Sequence, residues 1–152
     1  MFCLRAVVQR VSSSKVTING EVVGKINLGL NVLIGISKED TIEDLKYIKD
    51  KIINLRIFED ENDKMNKSLL DVNGEILAIS QFTLYGDCRK GRRPNFMNAK
   101  GGEEAKILYD KFIEMLKDTN LKVETGEFGA DMKVDIQNDG PVTILLDSFK
   151  QF

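Results

Sequence analysis

Only two segments of this chain carry a helical period, and both are short. Ile42, Leu45, Ile48, Ile52 and Leu55 recur at helical spacing behind Thr41, with Asp44 three residues on to complete a capping box. Ala105, Leu108, Phe112 and Met115 form the second stripe, behind Gly101-Gly102, with Glu103 and Glu104 suited to a helix N-terminus. Almost everything else that is apolar alternates or runs in short blocks, which is strand patterning. Leu4 to Val11 reads as a first strand and Lys15 to Ile18 as a second, followed by the hairpin signal Asn19-Gly20 and then Glu21-Val22-Val23. Ile26 to Ile36 reads as a buried strand bent at a glycine, and Arg56 to Phe58 as a short one. Ile76 to Ile79, Leu121 to Thr125, Met132 to Ile136 and Val142 to Leu146 complete the set. The order strands, helix, strand, helix, strands predicts strand-rich layers with two helices on one face, not an all-parallel doubly wound sheet.

A chain of 152 residues with 42% hydrophobic and 30% charged residues is expected to make one globular domain, 1–152. There is no internal repeat, linker or apolar stretch long enough to span a membrane, and the N-terminal residues lack a signal-peptide layout. A cytoplasmic location is the expectation. A formal charge of −2 argues against nucleic-acid binding over the whole surface but leaves room for a local basic patch.

The chemistry is bounded by an absence: the chain has no histidine. His-based triads, Cys–His dyads and the commonest metal ligand are all excluded. The two cysteines, Cys3 and Cys88, make neither a zinc site nor a disulfide framework, and Cys88 as a nucleophile would lack a neighbouring base. The acids of Glu59 to Lys64 lack the glycine and closing glutamate of a calcium loop and read as solvated. No metal and no cofactor is expected.

The densest functional signal is Ser80-Gln81-Phe82-Thr83-Leu84. An apolar strand ends in hydroxyls and an amide, then enters a glycine-containing loop with Arg89, Lys90, Arg92 and Arg93. Polar groups on the tip of a rigid strand beside a basic loop suit an anionic ligand; a strand end with a solvated turn is the alternative. Asn138-Asp139-Gly140-Pro141-Val142-Thr143 reads, from its residues, as a hairpin turn, although a Gly-Pro bond also has access to the cis form.

Taken together, these blocks resemble the D-aminoacyl-tRNA deacylases. The resemblance runs from Arg5-Ala6-Val7-Val8-Gln9-Arg10-Val11 through Asn19-Gly20-Glu21-Val22, Gly29-Leu30, Arg56-Ile57-Phe58 and Lys64-Met65-Asn66. It rests most heavily on the Ser80 to Leu84 and Asn138 to Thr143 blocks, which stand in order at domain-scale separation. The resemblance implies a three-layer β/β/α fold, α/β in class, with mostly antiparallel strands in two sheets and two main helices. It implies a homodimer with active sites at the subunit interface. It implies hydrolysis of the ester in D-aminoacyl-tRNA, releasing free tRNA and the D-amino acid while sparing L-aminoacyl-tRNA, with glycine mischarged on tRNA as a further candidate substrate. A non-catalytic tRNA-binding module of the same fold is the alternative, and an interaction protein that dimerises through strand edges is a third.

The same resemblance implies roles. Ser80, Gln81, Phe82 and Thr83 would form the catalytic strand tip. Gly140 and Pro141 would be the chiral selector, in cis and reaching into the partner's pocket. A rigid block on one direction from Cα discriminates without gripping the side chain. Thr83 is the nucleophile by position, yet has no histidine to activate it, so attack assisted by the substrate's ribose hydroxyl is favoured, with N–H groups near Phe82 and Thr83 stabilising the oxyanion. Phe82 either stacks on the terminal adenine or is a core residue. Arg10 either tethers the Gly-Pro segment through carbonyls or makes a surface ion pair. Phe128, Ala130 and Met132 are candidate substrate contacts, and Arg89, Lys90, Arg92 and Arg93 are candidate contacts to acceptor-stem phosphates.

Overall fold

The computed structural model describes residues 3–152. Eight strands and three helices follow one another as β1 (Arg5–Ile18), β2 (Glu21–Ile26), β3 (Gly29–Gly35), α1 (Ile42–Asn54), β4 (Phe58–Glu59), β5 (Met65–Lys67), α2 (Leu69–Val72), β6 (Glu75–Ser80), α3 (Gly102–Lys117), β7 (Lys122–Thr125) and β8 (Lys133–Asp147). A single turn of 3-10 helix, Phe82–Tyr85, follows β6. The main sheet has the order β2-β1-β3-β6-β7, with β8 on the other side of β1, and β4 and β5 form a separate two-stranded ribbon. The β1 and β4 pairings are antiparallel; β3 with β6 and β6 with β7 are parallel.

The long strand β1 organises the sheet. Residues 5–11 pair with β3 and residues 14–18 with β2, along the same side, while β8 follows nearly its whole length on the other. The far half of β1 thereby folds back over β6. Val16 and Ile26 meet Leu77 and Ile79 in one apolar cluster. The opposite face of the sheet, with Val8, Val32, Ile76 and Ala78, carries the larger cluster, covered by Ile48 and Ile52 of α1 and Phe112 and Leu116 of α3. The layers are thus β, β and α, the two β layers being halves of one hydrogen-bonded sheet. Closure requires a glycine: a Cβ at Gly24 of β2 would stand 2.5 Å from the carbonyl oxygen of Thr125 in β7.

Three expectations about strands need correction. Leu4 to Val11 and Lys15 to Ile18 belong to one strand of 14 residues. Its polar middle, which suggests a break, is satisfied internally: the buried Ser14 hydroxyl bonds to the Asn31 side-chain oxygen (3.0 Å) and the Asp135 carbonyl (2.8 Å). Ile26 to Ile36 is two strands, because the chain turns at Asn27-Leu28, where the Asn27 N–H is held by Glu75 Oε1 at 2.7 Å. Met132 to Ile136 and Val142 to Leu146 do not face each other across a hairpin. Both pair with β1, Ile136 opposite Ser14 and Thr143 opposite Gln9, as parts of the single strand β8.

Candidate active site

The polar end of β6 is shaped by what lies under it. The Gln81 N–H still donates to Ile34 of β3 at 2.8 Å, and the chain then tightens into the 3-10 turn, closed by Gly86 N–H on the Thr83 carbonyl at 2.9 Å. Tyr85 is the peg beneath this turn. It is buried, and its hydroxyl bonds to the carbonyls of Cys3 and Gly35, the latter at 3.0 Å. Burial pushes the Tyr85 phenol far above its ordinary range, so it stays neutral and acts as a hydrogen-bond anchor. With Tyr85 pointing in, Phe82 and Thr83 point out. Phe82 is 55% exposed, which removes the core reading for that side chain. Gln81 Nε2 donates to Thr83 Oγ1 at 3.0 Å.

These residues form one wall of a cleft of about 680 Å³. Phe128, Ala130 and Met132 form a second wall, and Phe96, Ala99 and Lys100 lead to a third at the start of α3. Phe82 meets Phe96 edge to face, with centroids 5.2 Å apart, and Phe128 leans on Tyr109 at 5.8 Å. Apolar walls around a few polar groups suit a small ligand oriented by a few hydrogen bonds. The Phe96 to Lys100 segment is stitched to the end of β3, through Lys100 N–H to the Ile36 carbonyl (2.8 Å) and Lys38 N–H to the Asn98 carbonyl (3.1 Å). Asp40 holds that end from behind, accepting the Ser37 N–H at 2.6 Å, and burial raises its carboxyl to about 6.

The cleft contains one carboxylate, Asp131, and one amine, Lys100, among its lining side chains. Among the described residues, the one side-chain hydrogen-bond partner of the Thr83 hydroxyl is an amide that donates to it, and none accepts its proton. The N–H groups of Phe82 and Thr83 open the 3-10 turn and have no acceptor within it, which leaves them available to a developing oxyanion. Among the described residues, no cluster of three or more Cys, Asp or Glu side chains is placed to hold a metal ion.

Gly140 and Pro141 lie elsewhere. Between the partners of Gln9 and Val11, β8 has four residues against the one residue Arg10, so Asp139 to Val142 bulge out of the strand. Asn138 closes the bulge, accepting the Val142 N–H at 2.8 Å and donating to Thr143 Oγ1 at 3.0 Å. The Gly140-Pro141 bond is cis, and both residues are exposed. Arg10 fills the space the bulge leaves in the ladder. Its Nε donates to the Asp139 carbonyl at 2.9 Å and its Nη1 to the Ile57 carbonyl at 2.8 Å. Arg10 is buried, at 7% exposure, and its nearest carboxylate, Glu59, stands 3.8 Å away. Its partners are chiefly carbonyls, not a surface acid. Neither Arg10 nor the Gly-Pro pair lines the cleft of its own chain.

The basic loop projects beyond the cleft. Its base is a short antiparallel bridge between Asp87 and Asn95. Arg89 forks onto Asp87 at 2.9 and 2.7 Å, which holds that carboxyl down at about 2. Lys90, Arg92 and Arg93 are exposed and make no ion pair among the described residues. Cys88 is exposed and Cys3 buried, with burial pushing the Cys3 thiol up. Cleft residues that sequence reasoning missed include Phe96, Ala99, Lys100, Ala105 and Asp131. Gly101-Gly102 was the available signal, since a helix that starts on two glycines leaves its N-terminus open to a neighbour.

The fold and site define a small mixed α/β domain with an apolar cleft at a strand tip, and comparison places it in one family. The family model described as D-Tyr-tRNA(Tyr) deacylase matches residues 7–147, and the chain belongs to that family. Curated relatives called D-aminoacyl-tRNA deacylase are 76% identical in Clostridium beijerinckii and 74% identical in Clostridium botulinum, each covering 98% of this chain and 100% of the relative. A solved structure described as a c-Myc DNA unwinding element binding protein is 49% identical, with a TM-score of 0.88 over 93% of this chain and 97% of that one. A second, described as a probable eukaryotic D-amino acid tRNA deacylase, shares the fold at 20% identity, with a TM-score of 0.82 over 96% of this chain and 100% of that one.

Proposed function

We infer that the protein hydrolyses the ester bond of D-aminoacyl-tRNA, releasing free tRNA and the D-amino acid, and so removes wrongly charged D-residues before translation. The observation that carries this reading beyond family membership is the Ser80 to Thr83 strand tip opening into an apolar cleft large enough for an aminoacylated nucleoside. The terminal adenine sits between the aromatic walls, Phe82 among them. Gln81 and Ser80 orient the ester at the rim, and Phe128, Ala130 and Met132 contact the nucleoside. The N–H groups of Phe82 and Thr83 receive the negative charge as water adds to the carbonyl. The proton lost by the water passes to the neighbouring ribose hydroxyl, which in turn protonates the leaving oxygen. Thr83 orients this arrangement and forms no acyl-enzyme, consistent with its lack of a base.

Chiral selection belongs to Gly140 and Pro141, and the active assembly is a homodimer. Two observations support this. The Gly-Pro bulge is exposed and absent from its own chain's cleft, which leaves it free to reach the cleft of a second copy. The outer edge of β8 has no strand partner among the described residues, and Leu145 on that strand is 46% exposed. Glycine on tRNA enters the same site, having no side chain for the block to meet. Lys90, Arg92 and Arg93, together with Arg89, face acceptor-stem phosphates. The 152 residues act as one domain, in the cytoplasm, where tRNA is charged and used. No helix is long and apolar enough to cross a membrane.

The test is single-turnover deacylation of D-Tyr-tRNA and L-Tyr-tRNA side by side, with and without chelator. Loss of the D-ester alone, unaffected by chelator, is expected. tRNA binding without turnover would leave a binding module in place of an enzyme.

A further inference from the structure

A second cavity, of about 360 Å³, opens on the other side of the Phe82–Tyr85 turn, between Arg5, Tyr85, Asp87, Cys88, Arg89 and Asn98. It adjoins the cleft. Asn98 lines one and Ala99 the other, and consecutive α-carbons are about 3.8 Å apart. The same short turn supplies Thr83 to the cleft and Tyr85 to the cavity.

The cavity is rich in donors that lack acceptors. Arg5 is held in place: its Nη1 donates to the Leu84 carbonyl at 2.9 Å, and its guanidinium carbon lies 4.9 Å from the centre of the Tyr85 ring. Its Nε and Nη2 have no hydrogen-bond acceptor and no carboxylate partner among the described residues. The Asn98 side-chain amide is likewise unpartnered among them. Arg89 and Asp87 neutralise each other, so the charge left in the cavity is that of Arg5. A guanidinium fixed before binding loses little freedom when it takes a tetrahedral oxyanion.

The geometry points to this cavity as the seat of a phosphodiester from the 3′-terminal strand of tRNA, with Arg5 as its main contact and Asn98 as a second donor. The inference rests on the deacylase reading for the identity of the RNA. The cleft takes the terminal aminoacyl-adenosine, the cavity takes a phosphate of the strand leading to it, and the basic loop flanks the path outward. The Asp87–Arg89 pair has a defined part, because Asp87 without its partner would face the phosphate with a bare negative charge.

Two variants test the site, Arg5→Gln and Asn98→Ala, the second removing the other proposed donor without changing charge. Binding of uncharged tRNA, followed through a salt series, reads the cavity independently of turnover. Both variants should weaken binding about fivefold or more, and Arg5→Gln should reduce the slope of log affinity against log salt by about one. Turnover of D-Tyr-tRNA at limiting enzyme should fall in parallel, while D-tyrosyl-adenosine, which has no phosphate, should be hydrolysed at the wild-type rate. Unchanged affinity and slope would overturn the assignment. So would an equal loss on D-tyrosyl-adenosine, which would make Arg5 a support for the Phe82–Tyr85 turn. If inorganic phosphate raises the melting temperature of wild type but not of Arg5→Gln, with tRNA binding equal in both, the site serves a free phosphate and the RNA assignment fails.

Discussion

Arg10 and Asp139 are joined by a 2.9 Å hydrogen bond from guanidinium to main-chain carbonyl, which ties the Gly-Pro bulge of β8 to the strand it leaves. A second donor on the same side chain holds Ile57, so one buried cation links the bulge to the β4–β5 ribbon. Arg10→Ala leaves both carbonyls without their charged donor and should destabilise the fold by about 3 kcal/mol. Arg10→Lys, with a single point of charge in place of a fork, should recover part of that stability but hold only one carbonyl. Denaturant unfolding of the two variants checks the order. D over L discrimination should weaken in Arg10→Lys even where it remains folded.

Gly140 has a φ of +136°, and a Cβ there would approach Val142 Cγ2 to 2.8 Å and Arg10 Nη2 to 3.0 Å. Gly140→Ala should therefore lower stability by about 1–3 kcal/mol and displace the Arg10 side chain. A thermal melt measures the first effect. An unshifted melting temperature would show that the bulge yields easily and is no rigid block.

Thr83 separates two mechanisms. If the ribose hydroxyl assists and Thr83 only orients, Thr83→Ala and Thr83→Val should keep single-turnover rates within about tenfold of wild type. Loss of a true covalent nucleophile costs about 10³-fold or more. A drop of that size in a folded variant would restore Thr83 as the nucleophile.

Asp40 makes stability depend on pH. Its carboxyl titrates near 6 in the folded protein against 3.8 ordinarily, because burial disfavours the charged form. Between these values the native state binds the extra proton, so the Asp40 contribution to stability is most favourable below about pH 4, falls as pH rises to about 6, and is level above that. Asp40→Asn should remove this part of the slope, and its melting temperature should gain on wild type at pH 7 relative to pH 4.5. Parallel curves for the two proteins would show that Asp40 is not the titrating group.

The two helical stripes, the Asn19-Gly20 turn and the strand tip at Ser80 were legible because each is written in a short window: a period, a turn dipeptide, an abrupt change from apolar to polar. The continuous strands β1 and β8 were not. Ser12 to Ser14 and Gln137-Asn138 are locally indistinguishable from loops, and only the β1–β8 pairing (Ser13 opposite Gln137, Val11 opposite Asn138) makes them strand. The short helix Leu69–Val72 and the 3-10 turn are too brief to show a period at all. The site divided in the same way. Ser80 to Thr83 belong to one segment, whereas Phe96 and Lys100 come to the cleft only through bonds to the end of β3.

By itself the sequence determined which chemistry was open to this protein. Without histidine, ester cleavage here falls to carboxylates, hydroxyls, backbone dipoles, lysine, cysteine or a group brought by the substrate. It also determined that two helices would cover strand-rich layers, since periodicity is a property of neighbouring residues. The tertiary structure decided where the functional groups stand: Tyr85 buried so that Phe82 and Thr83 face out, Arg10 buried beneath the bulge, and Gly140-Pro141 outside the cleft of their own chain. These placements depend on contacts between residues 30 to 130 positions apart, which no local pattern encodes.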